Sequence, residues 1–309
     1  MKLYMAPLQS YTTSFYRQAH ALTYTKMDKY FTPFFEDADT DIGTLEKHPE
    51  LLSSLNENLS VVPQVATNSS EFLVNFSKKV SQLGYHEINL NMGCPFPMLV
   101  KRKKGGGLLA QPEMTEQLLD NFFSKTTDTK LSLKIRLGVD DPKQGQTIVK
   151  LANQFPIKEL IIHPRLVTQK YSGEVNWDEF ETFCLLSKHP IIANGDINSP
   201  EDANYIAKRF PHVKGLMLGR GLLTKPCLSD EIINDSKETN KLFLLHDNYY
   251  KLITNYHKDW NQAFNFLHTF WHYPLQANQE LKRYLRKLKK HNKPDLYQKW
   301  LTQLKYIIE

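Results

Sequence analysis

One stretch of this 309-residue chain concentrates reactive groups: "NMGCPFPMLVKRKKGGG", residues 91–107. A lone thiol, Cys94, stands between Gly93 and Pro95, after an apolar run and ahead of four consecutive cations (101–104) and three glycines. An isolated cysteine can be a small buried apolar side chain. It can also be a proton donor, because an ordinary thiol pKa of about 8.5 keeps it protonated at neutral pH. Other polar side chains fall at the ends of apolar runs. Gln64 follows "VVP", Asn91 precedes the thiol, Lys134 and Arg136 lie in "LSLKIRLG", and His163 and Arg165 end "ELIIHPR". Asn194 and Asp196 end "PIIANGD", and Arg220 sits between Gly219 and Gly221.

Taken together, "ANGD" and "GRG" fit a phosphate site built from backbone N–H groups and Arg220. Lys134 would carry a charge out of an apolar strand. Such a cation can stabilise the anion of a reduced flavin, or it can pair with a buried carboxylate. His163 reads as a contact to phosphate or ring, or as a satisfied core histidine.

These residues need a frame that brings run ends together. Short β-rich runs occur at 2–8, 29–35, 60–66, 87–93, 131–138, 159–165, 190–196 and 215–221. Several are continuously apolar, as parallel strands covered on both faces are. Helical spacing separates most of them, as in 69–84, opened by a serine and closed by a glycine, and in 199–210, with Pro200 at the first helical position. Eight alternations predict a (β/α)8 TIM barrel, whose active site lies at the C-terminal ends of its strands. An open doubly wound sheet is the alternative, but "MAPLQS" offers no glycine-rich turn for it. The connection 44–58 yields only a short, imperfect helix.

Beyond residue 238 the texture changes, which predicts a barrel domain over 1–238 and a helical domain over 239–309. Residues 241–309 hold 12 Lys/Arg, 5 Asp/Glu and 14 aromatics, so the excess positive charge of the chain lies there. An amphipathic helix is expected over 279–291, with Leu281, Tyr284, Leu285 and Leu288 on one face and cations on the rest. That asymmetry suggests a polyanionic partner. The three scattered cysteines exclude a disulfide framework and argue against a zinc cluster, so no metal is expected. No signal peptide or membrane-spanning run is expected, which fits a cytoplasmic protein without membrane contact.

"APLQSYTT", "EINLNMGCPFPMLVKRKKGGGLL", "LSLKIRLG", "IIHPRLVTQKYSG", "IIANGDI" and "LMLGRGLL" occur in that order. With them the chain resembles the tRNA-dihydrouridine synthase family over roughly residues 3–225, the N-x-G-C-P segment being the most specific signal. The resemblance implies an FMN-dependent reduction of the C5–C6 bond of uridines in tRNA, with hydride from reduced FMN to C6 and NADPH as reductant. It implies Cys94 as the acid that protonates C5. It implies cofactor contacts at Ala6, Pro7, Leu8, Gln64, Lys134, His163, Asn194, Gly195, Asp196, Gly219 and Arg220. Substrate contacts are expected at Asn91, Lys101, Arg102, Arg136 and Arg165, and on the basic tail at Lys282, Arg283, Arg286 and Lys287. The glycines after Cys94 are expected to let its loop move when substrate arrives. A pyrimidine or dihydroorotate-type FMN oxidoreductase, an rRNA-directed synthase and a non-catalytic RNA-binding barrel are the competing readings. A monomer is expected.

Overall fold

The computed structural model describes residues 1–234, 241–276 and 278–308. Its parallel sheet contains β1 (Lys2–Met5), β2 (Lys29–Phe31), β3 (Phe35–Glu36), β4 (Val61–Val62) and β5 (Gln64–Ala66). It continues through β6 (Glu87–Met92), β7 (Lys130–Gly138), β8 (Leu160–Leu166), β9 (Ile191–Asn194) and β10 (Gly215–Leu218). Each expected run holds at least one strand. Two runs are split in the same way, Pro33 separating β2 from β3 and Pro63 separating β4 from β5, because proline has no N–H for the ladder. The broken strands lie side by side, β2 on β4 and β3 on β5. β1 pairs with both β2 and β10, and β5 pairs with β6. The ten segments therefore close into an eight-stranded barrel.

The strand pleat divides the side chains. Tyr4, Ala6, Phe31, Val62, Ile161, Ile192 and Met217 form one apolar cluster, and the larger core lies between strands and helices. Beside the first cluster runs a chain of buried amides. Gln64 donates to Asn89 (2.7 Å), Asn89 to Ser132 (2.9 Å) and Asn91 to the Gln64 Oε1 (2.8 Å). Each buried polar group thus has a partner, which offsets its desolvation.

The helices start where the caps predicted. The Ser69 side chain accepts from Phe72 N ahead of the helix Ser70–Gln82, and Gly84 (φ +92°) follows it. Ser199 and Asp202 form a capping box for the helix Pro200–Arg209. Over 44–58 no α-helix forms. Three 3-10 turns (Ile42–Lys47, Pro49–Leu51, Ser53–Leu55) take its place, with His48 and Leu52 extended between them. A buried Arg17–Glu50 ion pair (2.6 Å) ties these turns to the helix Ser14–Thr23.

The C-terminal part is helical: Leu242–Tyr256, Trp260–Phe270, His272–Gln276, Lys282–Leu288 and Pro294–Ile308. The boundary expected at 238/239 lies outside the described residues. The amphipathic helix is shorter than expected, with Leu288 buried and Lys282, Arg283, Arg286 and Lys287 exposed. Phe243, Tyr249, Phe270, Trp271, Tyr297 and Trp300 are buried, and the Tyr297 hydroxyl lies 2.7 Å from His246 Nε2 and accepts from Trp271 Nε1 (3.0 Å), so these rings form the core of the helical part. This bundle packs on the barrel through ring contacts, Phe15 against Phe266, Tyr16 against Tyr249 and Tyr11 against Tyr273. Among the described residues no helix is long and apolar enough to cross a membrane.

Candidate active site

The C-terminal ends of the strands surround a cleft open to solvent. Ala6, Pro7 and Leu8 enter it after β1, Asn91 from β6, Cys94 after it, and Lys134 and Arg136 from β7. His163 enters from β8, Asn194, Gly195 and Asp196 from the end of β9, and Gly219 and Arg220 after β10.

Cys94 is held by its backbone. The Asn91 Oδ1 accepts from Gly93 N (3.1 Å) and Cys94 N (2.9 Å), and the Cys94 carbonyl accepts from Gly106 N (3.0 Å). Asn91 is itself fixed by Gln64. Gln64 is fully buried beneath the cleft and does not line it, so it acts here through Asn91. The glycines downstream serve close approach. A Cβ on Gly106 would stand 2.5 Å from Val167 Cγ2, and one on Gly107 would stand 2.6 Å from the Val100 carbonyl. All three glycines are buried, Gly105 at positive φ (+55°) and the other two in close packing. Burial pushes the Cys94 thiol up, while the Phe96 amide and the charges of Arg136 and Lys134 pull the other way without reversing it.

The cations of the cleft are sparsely compensated. The Lys134 ammonium donates to Asn194 Oδ1 (2.9 Å), and the Asn194 Nδ2 is fixed on the Met217 carbonyl (2.8 Å). Burial, aided by Arg136, brings Lys134 down to about 7. Arg136 donates to the Leu166 carbonyl (3.0 Å), and burial lowers it to about 10. Burial and the surrounding cations hold His163 well below its ordinary value. Its Nε2 lies 3.2 Å from Arg165 Nη1, which can only donate, so His163 is neutral with its proton on Nδ1.

Arg165 does not line this cleft. It is buried, grips the Asp196 carboxylate with both terminal nitrogens, and borders a neighbouring cavity with Tyr273. Asp196 also accepts from Arg220 (2.8 Å). Burial alone would raise Asp196, but Arg165 and Arg220 outweigh it and keep the carboxylate ionised. The turn that aims Asp196 uses positive φ at Gly195 (+130°) and at Asp196 itself (+46°). A Cβ on Gly195 would meet the His163 ring at 2.9 Å, so glycine is required there.

With this geometry in place, the whole chain was compared with known families, and residues 4–305 match the dihydrouridine synthase (Dus) family. The chain belongs to this family. It is 31% identical over 170 residues to tRNA-dihydrouridine synthase B of Pseudomonas syringae pv. tomato, covering 55% of this chain and 50% of that protein. The corresponding Pseudomonas aeruginosa protein is 32% identical over 170 residues, 55% of this chain and 51% of the relative. That of Pasteurella multocida is 36% identical over 148 residues, 48% of this chain and 44% of the relative. The chain spans about half the length of these curated relatives.

In this dihydrouridine synthase family member, the remaining expected substrate residues lie outside the cleft. Arg102 is exposed and pairs with Glu36 (3.2 Å), and Lys104 pairs with Glu36 and Asp37, so part of the basic run folds back onto the second barrel strand. Lys101 is exposed and does not line the cleft, and the basic helix Lys282–Leu288 does not reach it either. Gln9, Phe34, Tyr171, Ile197 and Asn198 line the cleft and escaped the sequence reading, Tyr171 being the one set against cations. Tyr171 lies between the guanidinium groups of Arg220 (4.7 Å) and Arg136 (5.3 Å). Its only signal was an aromatic beside "SG" in an otherwise polar loop.

Proposed function

We propose that this chain reduces the C5–C6 bond of a uridine in tRNA to 5,6-dihydrouridine, with FMN in the cleft and NADPH as reductant. The observation that carries this reading is a protonated thiol, Cys94, opening onto the same cleft as two cations, Lys134 and Arg136, that pair with no carboxylate among the described residues. The residues present fit a flat, anionic cofactor. Lys134 donates to an amide oxygen, Arg136 donates to the Leu166 and Lys170 carbonyls and lies against the Tyr171 ring, and Ala6, Pro7 and Leu8 offer an apolar wall. Lys134 and His163 would hold the ring and its phosphate arm, and Gly195, Gly219 and Arg220 the phosphate itself. When bound, FMN supplies the hydride that saturates C6.

Cys94 supplies the proton at C5. Burial keeps it a thiol at working pH, which a proton donor requires. The thiolate left behind meets the Phe96 amide and the charges of Arg136 and Lys134, so the donor can be transiently ionised without a lowered resting pKa. Asn91 fixes the loop backbone and also borders the space for the base. The helical part, with its exposed Lys282, Arg283, Arg286 and Lys287, would hold the tRNA backbone while one uridine turns outward.

A Cys94→Ala variant tests this. It should purify yellow, oxidise NADPH to reduce its flavin, bind tRNA normally and form at least about 100-fold less dihydrouridine, the scale of a lost general acid. Full activity in that variant would overturn the acid role. Reduction of free dihydroorotate or uracil without activity on tRNA would overturn the substrate.

A further inference from the structure

We infer that Phe96 is a stacking platform for the RNA base next to the extruded uridine, an inference that rests on the function proposed above. Phe96 is two residues from Cys94, so their Cα atoms are within about 7 Å. Yet its ring faces away from the packed interior. Phe96 is 55% exposed and Met98 beside it 54%, while Leu99 in the same short helix (Pro97–Lys101) is buried and pins it down. Phe96 directly follows Pro95, a residue of the cleft lining, and leaves a large aromatic ring exposed.

Two prolines restrain the backbone that carries this ring. Phe96 lies between Pro95 and Pro97 and takes φ −65°, ψ 121°, the extended geometry that a following proline enforces. Its carbonyl accepts from Val100 N (3.1 Å), and its amide supports the Cys94 sulfur. The backbone therefore serves the thiol while the side chain is left for a partner.

Charge decides which partner. Lys101 and Lys103 follow in the same segment and are exposed, while Arg102 pairs with Glu36, so the apolar ring and Met98 precede two exposed cations. Aromatic rings interleaved with cations suit unstacked bases joined by phosphates. Turning one uridine outward leaves its neighbour unstacked, and a ring this close to the acid is placed to cover it. Wedge-like Phe and Met side chains serve the same purpose where proteins unstack duplex steps.

The test uses full-length, FMN-loaded protein and unmodified tRNA transcripts. Phe96→Ala should lower kcat/KM for tRNA about tenfold, mainly through KM, with NADPH-driven flavin reduction and Tm unchanged. Phe96→Trp should restore activity and Phe96→Leu should not, because stacking needs a π-face. A Phe96→Ala enzyme within about twofold of wild type on tRNA, or a Leu variant equal to the Trp variant, would overturn the inference and leave the proposed function intact. A wild-type protein that forms no dihydrouridine in tRNA would overturn both.

Discussion

Lys134 shows most directly how a single residue ties stability to function. It is a cation with an amide partner, and among the described residues no carboxylate pairs with it. Its pKa of about 7 in the folded chain lies below the ordinary lysine value of about 10.4. Between these values the unfolded chain binds the extra proton, so stability rises with pH from about 7 to 10 and the full penalty applies below 7. Lys134→Met should therefore raise the Tm of the ligand-free protein by about 2 °C or more at pH 6, with the gap closing towards pH 10. Thermal melts across that range check it. The same variant should bind FMN more weakly, measured by flavin fluorescence quenching, because the unmet charge is what an anionic ligand would satisfy. Lysine in an apolar strand was legible as unusual. That its partner is Asn194, 60 positions away, was not.

Elements with local signals were read correctly, and those shaped by distant neighbours were not. Ser69 and Ser199 marked helix starts because capping is settled within four residues. The segment 44–58 has partial helical spacing but breaks at Pro49, and 3-10 turns wrapped around the Arg17–Glu50 pair replaced the helix. The three glycines after Cys94 are a different case. Glycine signals either freedom or close approach, and only the positions of Val167, Val100 and the Cys94 backbone show the latter. Gly106→Ala should consequently destabilise the fold by about 1–3 kcal/mol, the usual cost of overpacking. It should also cut dihydrouridine formation by displacing Cys94. Adding Val167→Ala removes the nearest clash and should recover most of the stability, as denaturant midpoints would record.

For the whole molecule, the proposed function requires that one barrel reach a folded RNA. The C-terminal helices pack on the barrel through the Tyr11–Tyr273 and Phe15–Phe266 contacts, and Tyr273 borders a cavity next to the candidate active site. Lys282, Arg283, Arg286 and Lys287 are exposed on these helices, as Lys101 and Lys103 are after Cys94. Changing Lys282, Arg283, Arg286 and Lys287 together to Gln should weaken tRNA binding and lower the slope of log affinity against log salt by about 3. Filter binding at several salt concentrations would measure both. NADPH-driven flavin reduction should be unaffected, since none of the four lines the cleft.

The sequence by itself determined the alternation that closes a barrel, the helix caps, the lone thiol after β6 and the basic tail. Each of these is set by periodicity or by neighbours a few residues apart. Only the tertiary structure decided that Gln64 supports Asn91 from below, that Arg165 clamps Asp196, that part of the basic run is neutralised by Glu36 and Asp37, and that Tyr171 lies between two guanidinium groups. Those pairings join residues brought together by barrel closure, and linear spacing holds no record of which strand ends will meet.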